Sequence, residues 1–231
     1  MGVFMNVRVP VWDVWVRLGH WAIVVAIAFQ WYSGEDIGLI DAHATVGILL
    51  AGWVVFRILW GFVGPEYARF QTFTPKSPQM LYQSVVRLIR RESEPTPGHS
   101  LIGGLGVYLL LTLIGMAALT GMASTDDIFF DGPLVSVLPR AWVDWASSGH
   151  HLITKLVFIT AGLHLLAIAY HSLAMKEPLV SGMLHGQKPS HGVQLSRPRA
   201  DTTTMRVRGA LLMAVCLGGS YSLFGLYLSN P

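Results

Sequence analysis

The stretch SGHHLITKLVFITAGLHLLAIAYHSL, residues 148–173, is apolar enough to cross a membrane, yet it carries His150, His151, His164, His171 and Lys155. An ionisable side chain inside a bilayer is costly, so each one in an apolar run is a functional candidate. On a helix His150 and His164, fourteen residues apart, share a face to within roughly 40° and differ in depth by about 21 Å. His151 points about 140° away from His164. His171 shares the His164 face about 10 Å further along. Two more histidines lie in apolar runs: His20 in VWVRLGHWAIVVAIAFQWYS and His43 at the head of HATVGILLAGWVVFRILWGF. In depth, His43 matches His150 and His20 matches His164.

Two pairs of imidazoles at two depths, all in expected helices, are what two bis-histidine sites would need. Imidazole is a good axial ligand for haem iron, and the flat macrocycle wants apolar walls. A transition-metal site or a proton relay draws on the same residues, and spacing alone leaves those readings open. Small residues would make room for a macrocycle. Gly47 follows His43 by one turn, Gly162 neighbours the His164 level, and a third apolar run offers Gly103, Gly104, Gly106, Gly115 and Gly121. Glycine also serves close packing in membrane helices. Arg17, one turn before His20, and Lys155 are candidate cations for haem propionates, and His171 is a candidate propionate or quinone contact. His99 reads as a surface or structural residue, His185 and His191 as solvated linker residues, and Cys216 as packing.

The elements that position these residues follow from composition. Charged residues make up 13% of the 231 residues and hydrophobic ones 52%, with mean hydropathy +0.50. A soluble domain carries about 25% charged residues. Runs of roughly 20 apolar residues make membrane spans. Five are predicted, at about 14–33, 43–62, 104–123, 149–175 and 208–228. Each span must satisfy its own backbone in lipid, so helices are expected, and the short alternating strands of a membrane barrel are not evident. With Arg17 and His20 inside it and no small-residue cleavage site after it, the first span is not expected to be a signal peptide.

Charge sets the expected orientation. With the N-terminus in the cytoplasm, Arg8, Arg17, Arg57, Arg69, Lys76, Arg87, Arg90 and Arg91 lie inside, as do Lys176, Lys188, Arg197, Arg199, Arg206 and Arg208. The outer loops then hold Glu35, Asp36, Asp41, Asp126, Asp127, Asp131 and Asp144 against Arg140. The C-terminus falls outside. The segment 77–91 has helical apolar spacing and a basic end, which suits either an interfacial helix or an ordinary loop helix. The linker 177–206, with Pro178, Pro189 and Pro198, is expected to be irregular. A lone cysteine excludes a disulfide framework, a Cys-ligated iron–sulfur cluster and covalent C-x-x-C-H haem.

Motifs in this order resemble a known family. RLGHW (Arg17 to Trp21), DAHATVG (Asp41 to Gly47), GHSLIGGLGVYLLLTLIGMAALTGM (Gly98 to Met122) and GHHLITKLVFITAGLHLLAIAYHS resemble the four core helices of bacterial cytochrome b561 proteins. That superfamily includes the b-type cytochrome subunits of nickel–iron hydrogenases and the membrane subunit of formate dehydrogenase. The resemblance covers roughly residues 10–190. It implies an all-α membrane protein, a four-helix transmembrane bundle holding two b haems, here followed by a fifth C-terminal transmembrane helix. The core would be residues 1–190, and 191–231 the linker and fifth helix.

Carried over residue by residue, His20 and His164 would ligate the inner haem iron, and His43 and His150 the outer. Many relatives have an acidic residue at the position of His151, so a swap with His150 stays open. The implied function is a dihaem cytochrome of the bacterial inner membrane, moving electrons between the quinone pool and a redox partner. That partner would be a periplasmic c-type cytochrome, a dehydrogenase or a hydrogenase. Membrane lipid is an expected partner and nucleic acid is not. One alternative within the superfamily is a stand-alone, quinone-linked superoxide oxidase, with Lys155 attracting the anion. Two other classes are a His-based metal or proton transporter and a cofactor-free membrane anchor. Few carboxylates or amides lie in spans two and three, and no inverted repeat is evident, which counts against transport.

Overall fold

The computed structural model describes residues 8–90, 92, 96, 98–189 and 201–229. Arg91, His191, Arg197, Pro198, Arg199 and the expected boundary at 190–191 lie outside the described residues. In chain order the elements are strand β1 (Arg8–Pro10), helices α1 (Val14–Ser33), α2 (Ile40–Val63), α3 (Pro78–Ile89), α4 (Leu101–Met122), α5 (Arg140–Leu173) and α6 (Leu179–His185), strand β2 (Gln187–Pro189) and helix α7 (Thr203–Ser229). Among the described residues four helices are long and apolar enough to cross a membrane: α1, α2 with the short turn before it, α4 and α5.

Three helix boundaries differ usefully from the expected spans. α2 begins three residues before His43, so that histidine lies within its first turn. α7 starts at Thr203, five residues before Arg208. α5 begins at Arg140, nine residues before the expected start of its span, and runs for 34 residues. At 1.5 Å per residue that is about 50 Å, against a hydrocarbon core of about 30 Å. Hydropathy finds the lipid-facing stretch and stops where Asp144 and Arg140 begin. The helix itself continues, with Arg140 Nε donating to Asp144 Oδ1 at 2.8 Å one turn away.

The chain divides into two compact units, one of Met1–Leu18, Leu59–Tyr108 and Gly162–Gly209, the other of Gly19–Ile58, Leu109–Ala161 and Ala210–Pro231. The first is organised around aromatic rings and a small sheet. β1 pairs antiparallel with β2, Val9 opposite Lys188. Gly186 ends α6 with φ of 79°, a left-handed conformation that glycine adopts without steric cost. Its carbonyl accepts from the backbone N–H of Val11 and Trp12. The segment expected to be irregular therefore holds a helix and a strand, because the N-terminal residues supply pairing that proline content alone does not reveal. Trp12 packs on His99 with centroids 4.6 Å apart, and His99 also meets Phe73, a structural role. Lys188 Nζ lies 5.7 Å from the Trp12 ring centre. Burial pushes its ammonium below the ordinary lysine range, with Glu177 opposing. α3 is capped by Ser77, whose Oγ accepts from Met80 N. Its apolar Tyr82 and Ile89 are 70% and 75% exposed, so this helix has no protein covering that face among the described residues.

The second unit has a core of Leu50, Val54, Leu113, Ile114 and Val157, with Ile23, Ala26, Ile27, Val46 and Trp53 packed against it. α7 joins it at Gly52, where the missing side chain admits Ser220 Oγ. In the first unit α7 meets α1, with Trp15 Nε1 donating to Arg206 O at 3.0 Å.

Asp13 anchors the start of α1. Its Oδ1 accepts from the N–H of Trp15 and Val16 at 2.9 and 3.1 Å, and from the indole of buried Trp60 at 3.3 Å. Burial raises its carboxyl above the usual Asp range, against the opposing pull of these donors. A raised folded-state pKa means that stability tied to this group is fully present at low pH and is lost as pH rises through that pKa. Replacing Asp13 with Ala removes the cap and the carboxylate that accepts from the Trp60 indole. Thermal unfolding in detergent, followed by circular dichroism, should show a loss of about 1–2 kcal/mol. Asp13→Asn keeps a capping acceptor and should lose less, and it should flatten the pH dependence.

Candidate functional site

The second unit brings His43 and His150 together. α2 supplies His43 from its first turn and α5 supplies His150. Their ring centroids are 6.3 Å apart and their planes are 86° to one another. Two metal–imidazole bonds of about 2 Å each, plus roughly 1 Å from each ring centre to its nitrogen, place a pair of axial ligands about 6 Å apart, centre to centre. The spacing therefore fits one iron between them.

Each ring has its Nδ1 engaged. His150 Nδ1 donates to the carbonyl of Ala117 at 3.0 Å, with Thr120 Oγ1 at 3.2 Å. A carbonyl only accepts, so Nδ1 carries the proton and Nε2 keeps its lone pair. His43 Nδ1 lies 3.0 Å from Ser33 Oγ. That hydroxyl donates to Phe29 O at 2.8 Å, so its oxygen is left to accept from Nδ1–H. Both imidazoles thus hold the tautomer that leaves Nε2 free for a metal. Gly121 lies against the His150 ring, where an added Cβ would sit 3.0 Å from Cε1. Gly47, expected to leave room beside His43, instead faces the Gln30 side-chain amide. Among the described residues no group of three or more His, Cys, Asp or Glu is placed to hold a bare ion. A haem asks the protein for only two ligands, because the macrocycle supplies the other four, so a pair of imidazoles is a fitting donor set for it.

The other expected residues are placed separately. His20 is half-buried on α1, edge-on to Trp21 with centroids 5.1 Å apart. His164 lies on α5, the same unbroken helix as His150. Arg17 Nη1 donates to Leu184 O at 2.9 Å. Its Nε is buried with no hydrogen-bond partner among the described residues, a donor suited to an anionic group. His171 Nδ1 lies 3.2 Å from Glu177 Oε1, with both side chains mostly covered. Lys155 and His151 are exposed on α5. His185 closes α6 with Nδ1 3.0 Å from Ser181 O and stays exposed. Sequence reasoning missed Ser33, Thr120 and Glu177. Ser33 and Thr120 sit at the ends of apolar helices, at the level of a candidate ligand, and that coincidence is the only signal that could have found them.

The chain was compared with known proteins. The family model described as prokaryotic cytochrome b561 matches residues 11–186. Cytochrome b561 homolog 2 of Escherichia coli is 27% identical over 183 residues, covering 76% of this chain and 84% of that protein. A probable Ni/Fe-hydrogenase B-type cytochrome subunit of Bradyrhizobium diazoefficiens is 21% identical over 215 residues, covering 78% and 85%. Its counterpart in Rhizobium leguminosarum bv. viciae is 21% identical over 211 residues, covering 78% and 88%. No solved structure matches the chain. The chain belongs to the prokaryotic cytochrome b561 family, and it is a multi-pass membrane cytochrome of b type that binds haem and transfers electrons.

Proposed function

We propose that the chain is a dihaem cytochrome b of the bacterial inner membrane, passing electrons between the quinone pool and a redox partner protein. The His43–His150 pair carries this reading, with ring centres 6.3 Å apart and both Nδ1 atoms engaged. His150 rather than exposed His151 faces His43, which supports His150 as the ligand. We assign a second centre to His20 and His164. His164 shares the His150 face of one helix about 21 Å along, and His20 lies on α1 at the depth expected to match. Residues 1–190 form the haem-binding core in this reading, and α7 in 191–231 adds a fifth span. The N-terminus is cytoplasmic and the C-terminus periplasmic.

Bound haem b supplies reversible one-electron chemistry at its iron. The chain's own part would be to hold each haem by a pair of neutral imidazoles, His43 with His150 and His20 with His164. The second unit's apolar core provides dry walls. The buried Arg17 Nε offers a hydrogen bond to a propionate of the inner haem. Exposed Lys155 is the candidate cation for a propionate of the outer haem, and His171, whose Nδ1 lies 3.2 Å from Glu177 Oε1, the candidate contact for quinone or an inner propionate. A quinol gives up two electrons, and two one-electron centres match that count.

The names of the rhizobial relatives support a hydrogenase-like partner enzyme; a dehydrogenase or a c-type cytochrome fits the same site. The charge pattern disfavours the superoxide alternative. Exposed Glu35, Asp36, Asp41, Asp126, Asp127, Asp131 and Asp144 would repel an anion, and Arg140 is engaged by Asp127 and Asp144.

Purified protein made with ample haem should carry about two b haems per chain, six-coordinate in both oxidation states. His43→Ala and His150→Ala should each remove the same haem, and His20→Ala and His164→Ala the other. Crossed losses would overturn the pairing, and haem-free protein the whole reading. Topology has its own check. A phosphatase active only in the periplasm should work when fused at residue 133 or at the C-terminus. It should be silent when fused at residue 92; the reverse pattern would invert the orientation.

A further inference from the structure

We infer that Ser33 is a positioning residue that sets the reduction potential of the outer haem through His43, and that Thr120, despite touching the other ligand, does not. The inference rests on the assignment of His43 and His150 as axial ligands. Its basis is a difference between two hydrogen-bonded arrangements within the second unit.

At His150 the proton on Nδ1 has two acceptors, the Ala117 carbonyl at 3.0 Å and Thr120 Oγ1 at 3.2 Å. The carbonyl belongs to the backbone of α4 and no side-chain change removes it. The Thr120 hydroxyl is itself committed to the carbonyls of Met116 and Ala117, at 2.7 and 3.2 Å. Deleting it leaves the ring with its backbone acceptor.

At His43 the side-chain acceptor is Ser33 Oγ at 3.0 Å. Ser33 is the last residue of α1 and is 0% exposed, so water has no access to replace it. Its hydrogen goes to Phe29 O at 2.8 Å, which fixes the oxygen lone pairs for the ring. Gly34 follows, where an added Cβ would sit 3.5 Å from His43 Cε1 and 3.0 Å from Gln30 O. The end of α1 thus wraps the His43 ring.

The chemistry follows from what Nδ1–H does. An acceptor on Nδ1 draws the proton away and makes Nε2 a stronger electron donor, as outer partners of metal-bound histidines do. A stronger donor stabilises the ferric over the ferrous state and lowers the midpoint potential. Without Ser33 Oγ the buried Nδ1–H loses that acceptor, donor strength falls, and the midpoint rises. Deleting an outer-shell partner also weakens metal-site affinity by about 10- to 100-fold. Each tenfold change in the ferric-to-ferrous affinity ratio moves a one-electron midpoint by ~59 mV.

The test is a spectroscopic redox titration of full-length protein in detergent, with haem counted per chain and the His43-dependent haem identified by its loss in His43→Ala. Ser33→Ala should move that haem to a more positive midpoint and leave the other unmoved. Ser33→Thr, which keeps the hydroxyl, should titrate as the parent, and so should Thr120→Val. An unmoved midpoint in Ser33→Ala, or an equal shift in Thr120→Val, overturns the inference. Where Ser33→Ala sheds its haem, recovery in Ser33→Thr supports the role and continued loss overturns it. His43→Ala that keeps its full haem complement sinks the underlying ligand assignment instead, a result distinct from any obtained at Ser33.

Discussion

A histidine buried among apolar helices can give one nitrogen to a metal only if something accepts the proton on the other. Water does this at a protein surface. In a membrane bundle the acceptor must be built in, and every backbone carbonyl in the interior of an ideal helix already has a partner. The structure solves this in two ways. His150 reaches the Ala117 carbonyl, which the Thr120 hydroxyl also contacts. His43 reaches Ser33, which ends α1 and is anchored by Phe29 O. Much of the second unit can be understood from that requirement. α1 stops where it does, α4 brings the Ala117 carbonyl to the level of His150 on α5, and Gly121 gives up its side chain so that the His150 ring can lie close.

The first unit meets a different demand. Its polar groups are many and its apolar surface is aromatic. Asp13, Lys188, Arg17, His171 and Glu177 are each drawn at least partly out of water, and each has a specific neighbour. Burying charge is tolerable only with such partners. The rings of Trp12, His99, Phe73, Phe70 and Tyr108 form a connected cluster, and Lys188 Nζ lies over the Trp12 ring. The cluster needs close approach at Gly61 and Gly104, where the Phe70 and Phe73 rings occupy the space a side chain would take.

Much of this was legible in the sequence, for identifiable reasons. α1 runs over Val14–Ser33 as hydropathy predicts, because its apolar stretch ends at residues that also end the helix. α5 starts nine residues before its apolar span, because hydropathy reports where lipid would be and says nothing of a helix that continues into water. The ligand candidates stood out because a charged or titratable residue in an apolar run is rare. Ser33 and Thr120 did not, because a hydroxyl in a membrane helix usually bonds its own backbone, and both of these do so as well. The β1–β2 pairing was invisible because its partners are about 180 residues apart, and three-residue strands carry no periodic signal. His171 was visible, but its carboxylate partner Glu177 lies beyond the end of α5, in a stretch read as linker.

That small sheet has a consequence for how the protein is made. β1 leaves the ribosome long before its partner β2, which emerges only after α5 and α6. At about 5–20 residues per second, β1 waits roughly 10–40 s for its complement. Throughout that interval the backbone N–H groups of Val11 and Trp12 lack the Gly186 carbonyl that receives them in the finished fold. Closing the clasp is therefore a late event, open only to chains whose α5 has already been synthesised. A chain truncated before Gly186 keeps the backbone of Arg8–Pro10 without the strand that pairs with it in the finished fold.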